Sequence, residues 1–300
     1  MRKSLYTERE SNIRRTWAIF AVFLVVVIGV GWVFSLVYET TSILYLAVGL
    51  ALVFNIGAYW YSDKLVLLMA GAKPIEEKDN KELYRIVENL AITAGLPTPK
   101  IYIINEATPN AFATGRDPRH AVVAVTRGLL ERLDRTELEG VLAHELGHIG
   151  NRDMLLQTVV VVLAGFIAIL SDIFLRQIFW GRFSNRDNDR AKTVIMVIAV
   201  VVAILTPIAA TLMRLAISRK REYLADASGA LLTRYPEGLA SALEKISAEK
   251  QPMRAANNST AHLWIDDPFM KKQKGAWLHG MFMTHPPTEE RIKRLRGMEV

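Results

Sequence analysis

The sequence contains no cysteine. That excludes disulfides, thiol nucleophiles and thiolate metal ligands, and it fits a reducing compartment. Histidine is scarce, six in 300 residues, so any imidazole site must be assembled from very few side chains. Charge is missing altogether from four long runs: Trp17 to Val37, Ser42 to Ser62, Met154 to Ser171 and Thr193 to Met213. Each comes near the roughly 20 apolar residues needed to cross about 30 Å of hydrocarbon. With 51% hydrophobic residues and a mean hydropathy of +0.19, the chain reads as a mainly α membrane protein with about four transmembrane helices, the third expected to reach about residue 175. The first run is longer than the apolar core of a signal peptide and has no small-residue cleavage site, so it reads as a retained anchor.

Net charge is +7, which raises the question of nucleic acid. The cations instead flank the apolar runs, as Arg2, Lys3, Arg9, Arg14 and Arg15 before the first, and Arg214, Arg219, Lys220 and Arg221 after the fourth. They do not form a stacking surface with aromatics, so the bilayer and its anionic headgroups are the expected partner and nucleic acid is not. Basic residues before the first span, and none in the Tyr38 to Thr41 connection, put the N-terminus in the cytoplasm. The chain returns there after Ser62.

From Lys73 the composition is that of a water-soluble lobe. Asn80 to Ala94 reads as a helix with Leu83, Ile86, Val87 and Leu90 on one face, stopped by Gly95 and Pro97. Lys100 to Asn105 and Ala121 to Thr126 read as strands, and Ala111 to Ala113 as a third, which makes a small sheet. Next comes Leu142-Ala-His-Glu-Leu-Gly-His-Ile149. On a helix, His144 and His148 lie one above the other, and Glu145 faces about 100° further round. Asp134 or Thr136 can cap that helix, and Thr136-x-x-Glu139 has the form of a capping box.

Asn151, Arg152 and Asp153 follow, and then the third apolar run, so the histidine helix sits against the membrane surface. The connection from Arg176 to Lys192 is basic, which conflicts with placing it outside. A hairpin over 154–217 that crosses the bilayer twice keeps both flanks on one side, and so does one that never crosses; crossing is the expectation. Beyond it, Arg219 to Asp226 continues as a helix with Glu222 and Asp226 one turn apart, and Pro236 opens another helix through Ala248. Glu249 to Met283 shows no periodicity and reads as a mobile lid or as disorder. Thr284-His-Pro-Pro-Thr288 and a basic helix, Glu289 to Arg296, close the chain. Four units result: 1–71, 72–153, 154–217 and 218–300.

Two histidines at this spacing with a glutamate between them are the pattern of a helical zinc site. Catalytic zinc takes three protein ligands and leaves a position open, so one more is needed, and Glu222 on a second helix can supply it. One zinc ion per chain is expected. Asp226 is placed to accept the outward N–H of a ligating histidine. Glu145 suits the general base and acid of peptide hydrolysis. His285, held by two prolines, is a candidate electrophile for the developing oxyanion. His120, His262 and His279 show no partner pattern.

His144-Glu-Leu-Gly-His148, then Glu222-Tyr-Leu-Ala-Asp226 beyond a hydrophobic hairpin, then His285-Pro-Pro, with Pro109-Asn-Ala-Phe-Ala-Thr-Gly115 upstream, closely resemble the HtpX membrane metalloproteases over essentially the whole chain. These are gluzincins related to the CAAX prenyl protease. The resemblance implies a gluzincin-like α+β protease domain facing the cytoplasm from the inner membrane. It implies degradation of damaged or misfolded membrane proteins in stress-linked quality control. It also implies that Asn110, Ala111 and Phe112 form an edge strand receiving the substrate backbone. Its basic third connection departs from the pattern and leaves the two later spans open. Self-cleavage is expected of a protease with loose sequence demand. Two other readings remain: an intramembrane metalloprotease, against which Glu131, Arg132, Asp134, Arg135, Glu137 and Glu139 weigh, and a non-enzymatic membrane protein with a fortuitous motif.

Overall fold

A computed structural model describes residues 5–180, 196–198, 200–201, 204–205, 219–249, 251–256, 260–268 and 286–298. Two long helices come first, α1 (Leu5–Val37) and α2 (Ser42–Met69), joined by the short turn that Glu39 makes possible at φ 54. Their windows Glu10–Val37 and Ser42–Met69 are long and apolar enough to cross a membrane. Val22, Val25, Trp32, Leu46, Val53 and Ile56 all remain exposed on them. Water would penalise such a continuous apolar surface; lipid does not. Gly31 lies so close to Ala47 that no Cβ would fit between the helices, the small-residue contact by which helices associate in lipid.

The third apolar run belongs to α6 (Asp153–Trp180), which is longer than sequence reading gave it. Asp172 does not end the helix, and Arg176, expected in the connection, lies within it. A single Asp costs a helix interior only about half a kcal/mol, too little to stop an otherwise favourable run. Of the fourth run, the described residues are helical, and Val201 and Leu205 join Phe23, Ala58 and Leu163 in one apolar cluster. The rest of that run and the connection at 181–192 lie outside the described residues.

The lobe is built on a four-stranded sheet, β1 (Ala72–Pro74), β2 (Lys100–Ile104), β3 (Ala111–Thr114) and β4 (Val122–Thr126), in the order β1-β2-β4-β3. Only β2 and β4 are parallel, and β3 forms an edge. β1 had no sequence signal, because three residues ending in proline gain strand geometry only by pairing, Ala72 with Ile104. One face of the sheet, through Ile101, Ala111, Ala113, Val123 and Val125, packs with α3 (Lys81–Thr93) and α5 (Arg135–Gly150). A short α4 (Arg127–Arg132) precedes α5; α7 (Arg219–Thr233), α8 (Pro236–Ser247) and α9 (Thr288–Arg296) complete the lobe.

The stretch after Glu249 is not loose where it is described. Residues 251–256 and 260–268 cover the other sheet face, where Met253, Leu263 and Trp264 meet Ile104, Phe112, Val66 and Leu67. Trp264 is fully buried, edge-on to Phe112 at a centroid distance of 4.8 Å. Anchors spaced without helical or strand period can still bury a segment, which is why periodicity missed it. Residues 257–259 and 269–283 lie outside the described residues.

Candidate metal centre and active site

The helix α5 begins at Asp134, whose extended backbone (φ −73, ψ 174) lets its carboxylate accept from the Glu137 N–H while Glu137 accepts from the Asp134 N–H. The capping box is therefore Asp134 with Glu137, not Thr136 with Glu139. Thr136 already lies inside the helix, where its hydroxyl donates to Asp134 at 2.7 Å, and Glu139 pairs with Arg135 at 3.0 Å. Glu137 also holds Lys245 of α8 at 2.6 Å. The cap thus fixes both the start of α5 and its packing on α8.

α7 crosses α5 almost backbone to backbone. A Cβ at Gly229 would lie 2.9 Å from the His144 nitrogen, and one at Gly147 would lie 3.3 Å from the Ala225 Cα. That closeness carries the α7 carboxylates to the α5 imidazoles. The His144 and His148 Nε2 atoms are 3.2 Å apart, Glu222 Oε1 is 3.6 Å from His148 Nε2, and Glu222 Oε2 is 3.9 Å from His144 Nε2. All three side chains are buried. At about 2.0–2.1 Å from a tetrahedral zinc, ligand atoms sit roughly 3.3–3.5 Å apart, so the set has the right dimensions.

Proton placement makes the case for a cation stronger. His144 Nδ1 lies 2.9 Å from Asp226 Oδ1, and His148 Nδ1 lies 3.1 Å from Asp153 Oδ2. Each carboxylate needs an N–H, which puts the proton of a neutral ring on Nδ1 and leaves the lone pair on Nε2. Two lone pairs and a carboxylate then converge on one buried point, an arrangement that a cation between them satisfies. Zinc fits this donor set. Asp226 stands where expected; Asp153, its counterpart for His148, was not singled out in sequence, although five residues separate the two.

Without an ion, burial holds His144 down to about 4. Burial also acts to lower His148, but Asp153, Glu222 and Glu145 outweigh it and raise it to about 9. Glu145 is 2% exposed. Burial lifts its carboxyl to about 7, with Glu222 reinforcing and the charge of His148 and the Ala113 N–H opposing. A carboxyl near neutrality beside the convergent ligands is suited to moving protons.

Arg291 was missed. It reads as one cation of a basic helix, yet it is fully buried, donating from Nε and Nη2 to both oxygens of Asp226 at 3.0 and 2.7 Å and from Nη1 to the Ile265 carbonyl at 2.8 Å. The available signal was position, since Arg291 shares the inward face of α9 with Leu295. Asp226 is thereby held at both ends. Burial alone would raise its carboxyl, but Arg291 and His144 bring it down to about 2.

Asn110, Ala111 and Phe112 lie on or beside β3, the sheet edge next to Glu145. Asn110 turns inward, its amide donating to the Asp266 carbonyl at 3.1 Å and its own carbonyl accepting from Thr126 at 3.0 Å. The Phe112 ring packs on Trp264, on the sheet face away from α5. Groups pointing out from the edge belong to Ala111 and Ala113, and the Ala111 carbonyl accepts from Ile265 at 3.0 Å. His285 lies outside the described residues, as does His279. His120 faces Asp117 at the surface, and buried His262 approaches the Gln157 carbonyl at 3.3 Å.

The family model described as Peptidase family M48 matches residues 77–299. A protein named Protease HtpX homolog from Caldanaerobacter subterraneus subsp. tengcongensis is 45% identical over 304 residues, covering 100% of this chain and 99% of its own. Another of that name, from Thermococcus kodakarensis, is 46% identical over 290 residues, 94% of each chain. Among solved structures, S. mikatae Ste24p superposes with a TM-score of 0.51 at 20% identity, over 93% of this chain and 66% of that one, a likeness of fold. Relatives that align from end to end, and a family model that spans both halves of the histidine and glutamate set, leave one assignment: the chain belongs to peptidase family M48, as a membrane-associated metalloprotease.

Proposed function

We propose that this chain is a zinc endopeptidase of the cytoplasmic membrane, with its catalytic lobe facing the cytoplasm, that hydrolyses damaged or misfolded membrane proteins. The observation that carries the chemistry is the convergence of two carboxylate-oriented histidines and Glu222 on one buried point beside Glu145. His144, His148 and Glu222 would hold the ion. When bound, zinc supplies Lewis-acid polarisation and a more acidic water. Glu145 takes a proton from the attacking water and returns it to the leaving amine. Asp226 and Asp153 hold the imidazoles in the tautomer that leaves Nε2 free, and Arg291 anchors Asp226. His285 is proposed to meet the oxyanion.

An extended substrate adds to the β3 edge through Ala111 and Ala113, which demands main-chain hydrogen bonds and little sequence. The Ile265 N–H already engages the Ala111 carbonyl and the Ala113 N–H bonds to Glu145, so a substrate strand would meet the edge at the Ala113 carbonyl. Substrates emerging from the bilayer suit a centre whose helix turns by 81° into the apolar α6. The intramembrane reading treats α5 and α6 as one bent span, but α5 packs on α3, α7 and α8 and begins at charged, exposed Arg135. Zinc content and casein cleavage, measured side by side, test the proposal. Glu145→Ala should keep zinc and lose cleavage, Glu222→Ala should lose both, and casein should be cut in detergent by the wild type. Normal cleavage by Glu145→Ala would refute the mechanism. Wild type should also purify as fragments more readily than Glu145→Ala, through self-cleavage.

A further inference from the structure

The first membrane helix does more than anchor. α1 begins twelve residues before Trp17, and from this part Asn12 reaches the lobe. Within it Asn12 is 1% exposed. Its Nδ2 donates to Asp153 Oδ1 at 2.6 Å and to the Asn151 carbonyl at 3.2 Å, and its Oδ1 accepts from Arg221 Nη1 at 3.3 Å. The amide is therefore clamped in one orientation. Asp153, itself fully buried, uses its other oxygen on His148 Nδ1 at 3.1 Å, and Arg221 Nε stands 3.5 Å from Asp153 Oδ1. Arg221 is also the residue before Glu222. One amide on a membrane helix thus touches the supports of two convergent ligands, across 141 residues in one case and 209 in the other.

We infer that Asn12 is a positioning residue for the metal centre, so that seating the first membrane helix sets how His148 and Glu222 are presented to zinc. The inference rests on the reading of His144, His148 and Glu222 as zinc ligands. Partners that orient metal ligands are worth about 10–100-fold in metal affinity. Asn12 acts one bond further out, so the lower end applies: Asn12→Ala should weaken zinc about tenfold. Asn12→Asp keeps the shape but turns an acceptor toward Asp153, and should weaken it more.

The test uses the full chain in detergent micelles on a Glu145→Ala background, which prevents self-cleavage, with zinc affinity measured by competition against a chelating dye. His144→Ala must abolish competition; if it does not, the ligand reading itself is wrong. Given that control, Asn12→Ala and Asn12→Asp should both lower affinity, and Asn12→Ala should cost less in an Asp153→Ala background than in the parent, because the path to His148 is already cut and only that through Arg221 is left. Ile19→Ala, a buried packing change elsewhere on α1, should lower the unfolding temperature and leave zinc affinity alone. Wild-type affinity in both Asn12 variants, or an Asn12→Ala loss that adds in full to that of Asp153→Ala, would overturn the inference. Should the variants fail to fold, linkage supplies a readout in the unaltered protein, since a coupled helix must respond to the ion. Zinc should slow amide hydrogen exchange at 10–16 of α1 as well as in α5. Slowing in α5 alone would overturn the inference too.

Discussion

Gly229→Ala is the sharpest probe of the site, because it adds one methyl group on the helix opposite the histidines and leaves every ligand side chain unaltered. The new Cβ would stand 2.9 Å from the His144 nitrogen and 3.2 Å from the Ala143 carbonyl carbon, where ordinary contact begins at 3.4 Å. Both neighbours are backbone of α5 and cannot swing away. α7 must therefore lift by about half an ångström, while ligand distances tolerate about ±0.2 Å. Overpacking of this kind costs about 1–3 kcal/mol, against which the gain in helix propensity over glycine is at most about 1 kcal/mol. Misplacement on this scale, toward the 1 Å that can cost about a hundredfold, should cut turnover by at least about tenfold. Gly147→Ala, whose nearest contacts are 3.3 Å, should be mild, and Gly150→Ala, with only Leu96 at 3.9 Å, should be neutral or stabilising. Zinc affinity, unfolding temperature and casein cleavage across the three variants check the ranking. Full activity and wild-type zinc affinity in Gly229→Ala would show that the α5–α7 approach does not set the ligand geometry.

Four further outcomes are expected. Asp226→Ala leaves the Arg291 guanidinium buried without its carboxylate, so chemical unfolding should show a loss of about 3–5 kcal/mol together with weaker zinc. In chelator-treated protein the Asp226 carboxyl is held at about 2, below its ordinary 3.8; the stability it contributes is complete above pH about 4 and is lost as pH falls through about 2, so the urea-midpoint gap between wild type and Asp226→Asn should narrow over that window. Asp134→Ala removes the cap of α5 and should cost about 1 kcal/mol in unfolding experiments without changing zinc stoichiometry. Chelation should lower the unfolding temperature of wild type and leave that of His144→Ala nearly unchanged, since at a free ion concentration a thousandfold above its Kd a ligand adds about 4 kcal/mol.

What was legible in the sequence was what local pattern carries. His144, Glu145 and His148 are read from helical spacing, and α3, β2 and β4 from periodicity and the turn residues that bound them. The first two membrane helices follow from length without charge, and the pairing of Glu222 with Asp226 from their one-turn spacing. Zinc chemistry could be inferred because two imidazoles on one face demand a third donor.

Only the tertiary structure decided the rest, because those roles depend on contacts between residues far apart in the chain. Arg291 is one cation among several in a basic helix until α9 docks and buries it on Asp226. Asp153 looks like a polar step before an apolar run until the turn at Arg152 (φ 57) brings it back onto His148. Trp264 and Ile265 sit in a stretch without period, yet they cover the sheet and engage its edge. Asn12 carries no local signal at all. Residue spacing can show that two histidines share a helix face, but which carboxylates and amides hold them there is settled by packing.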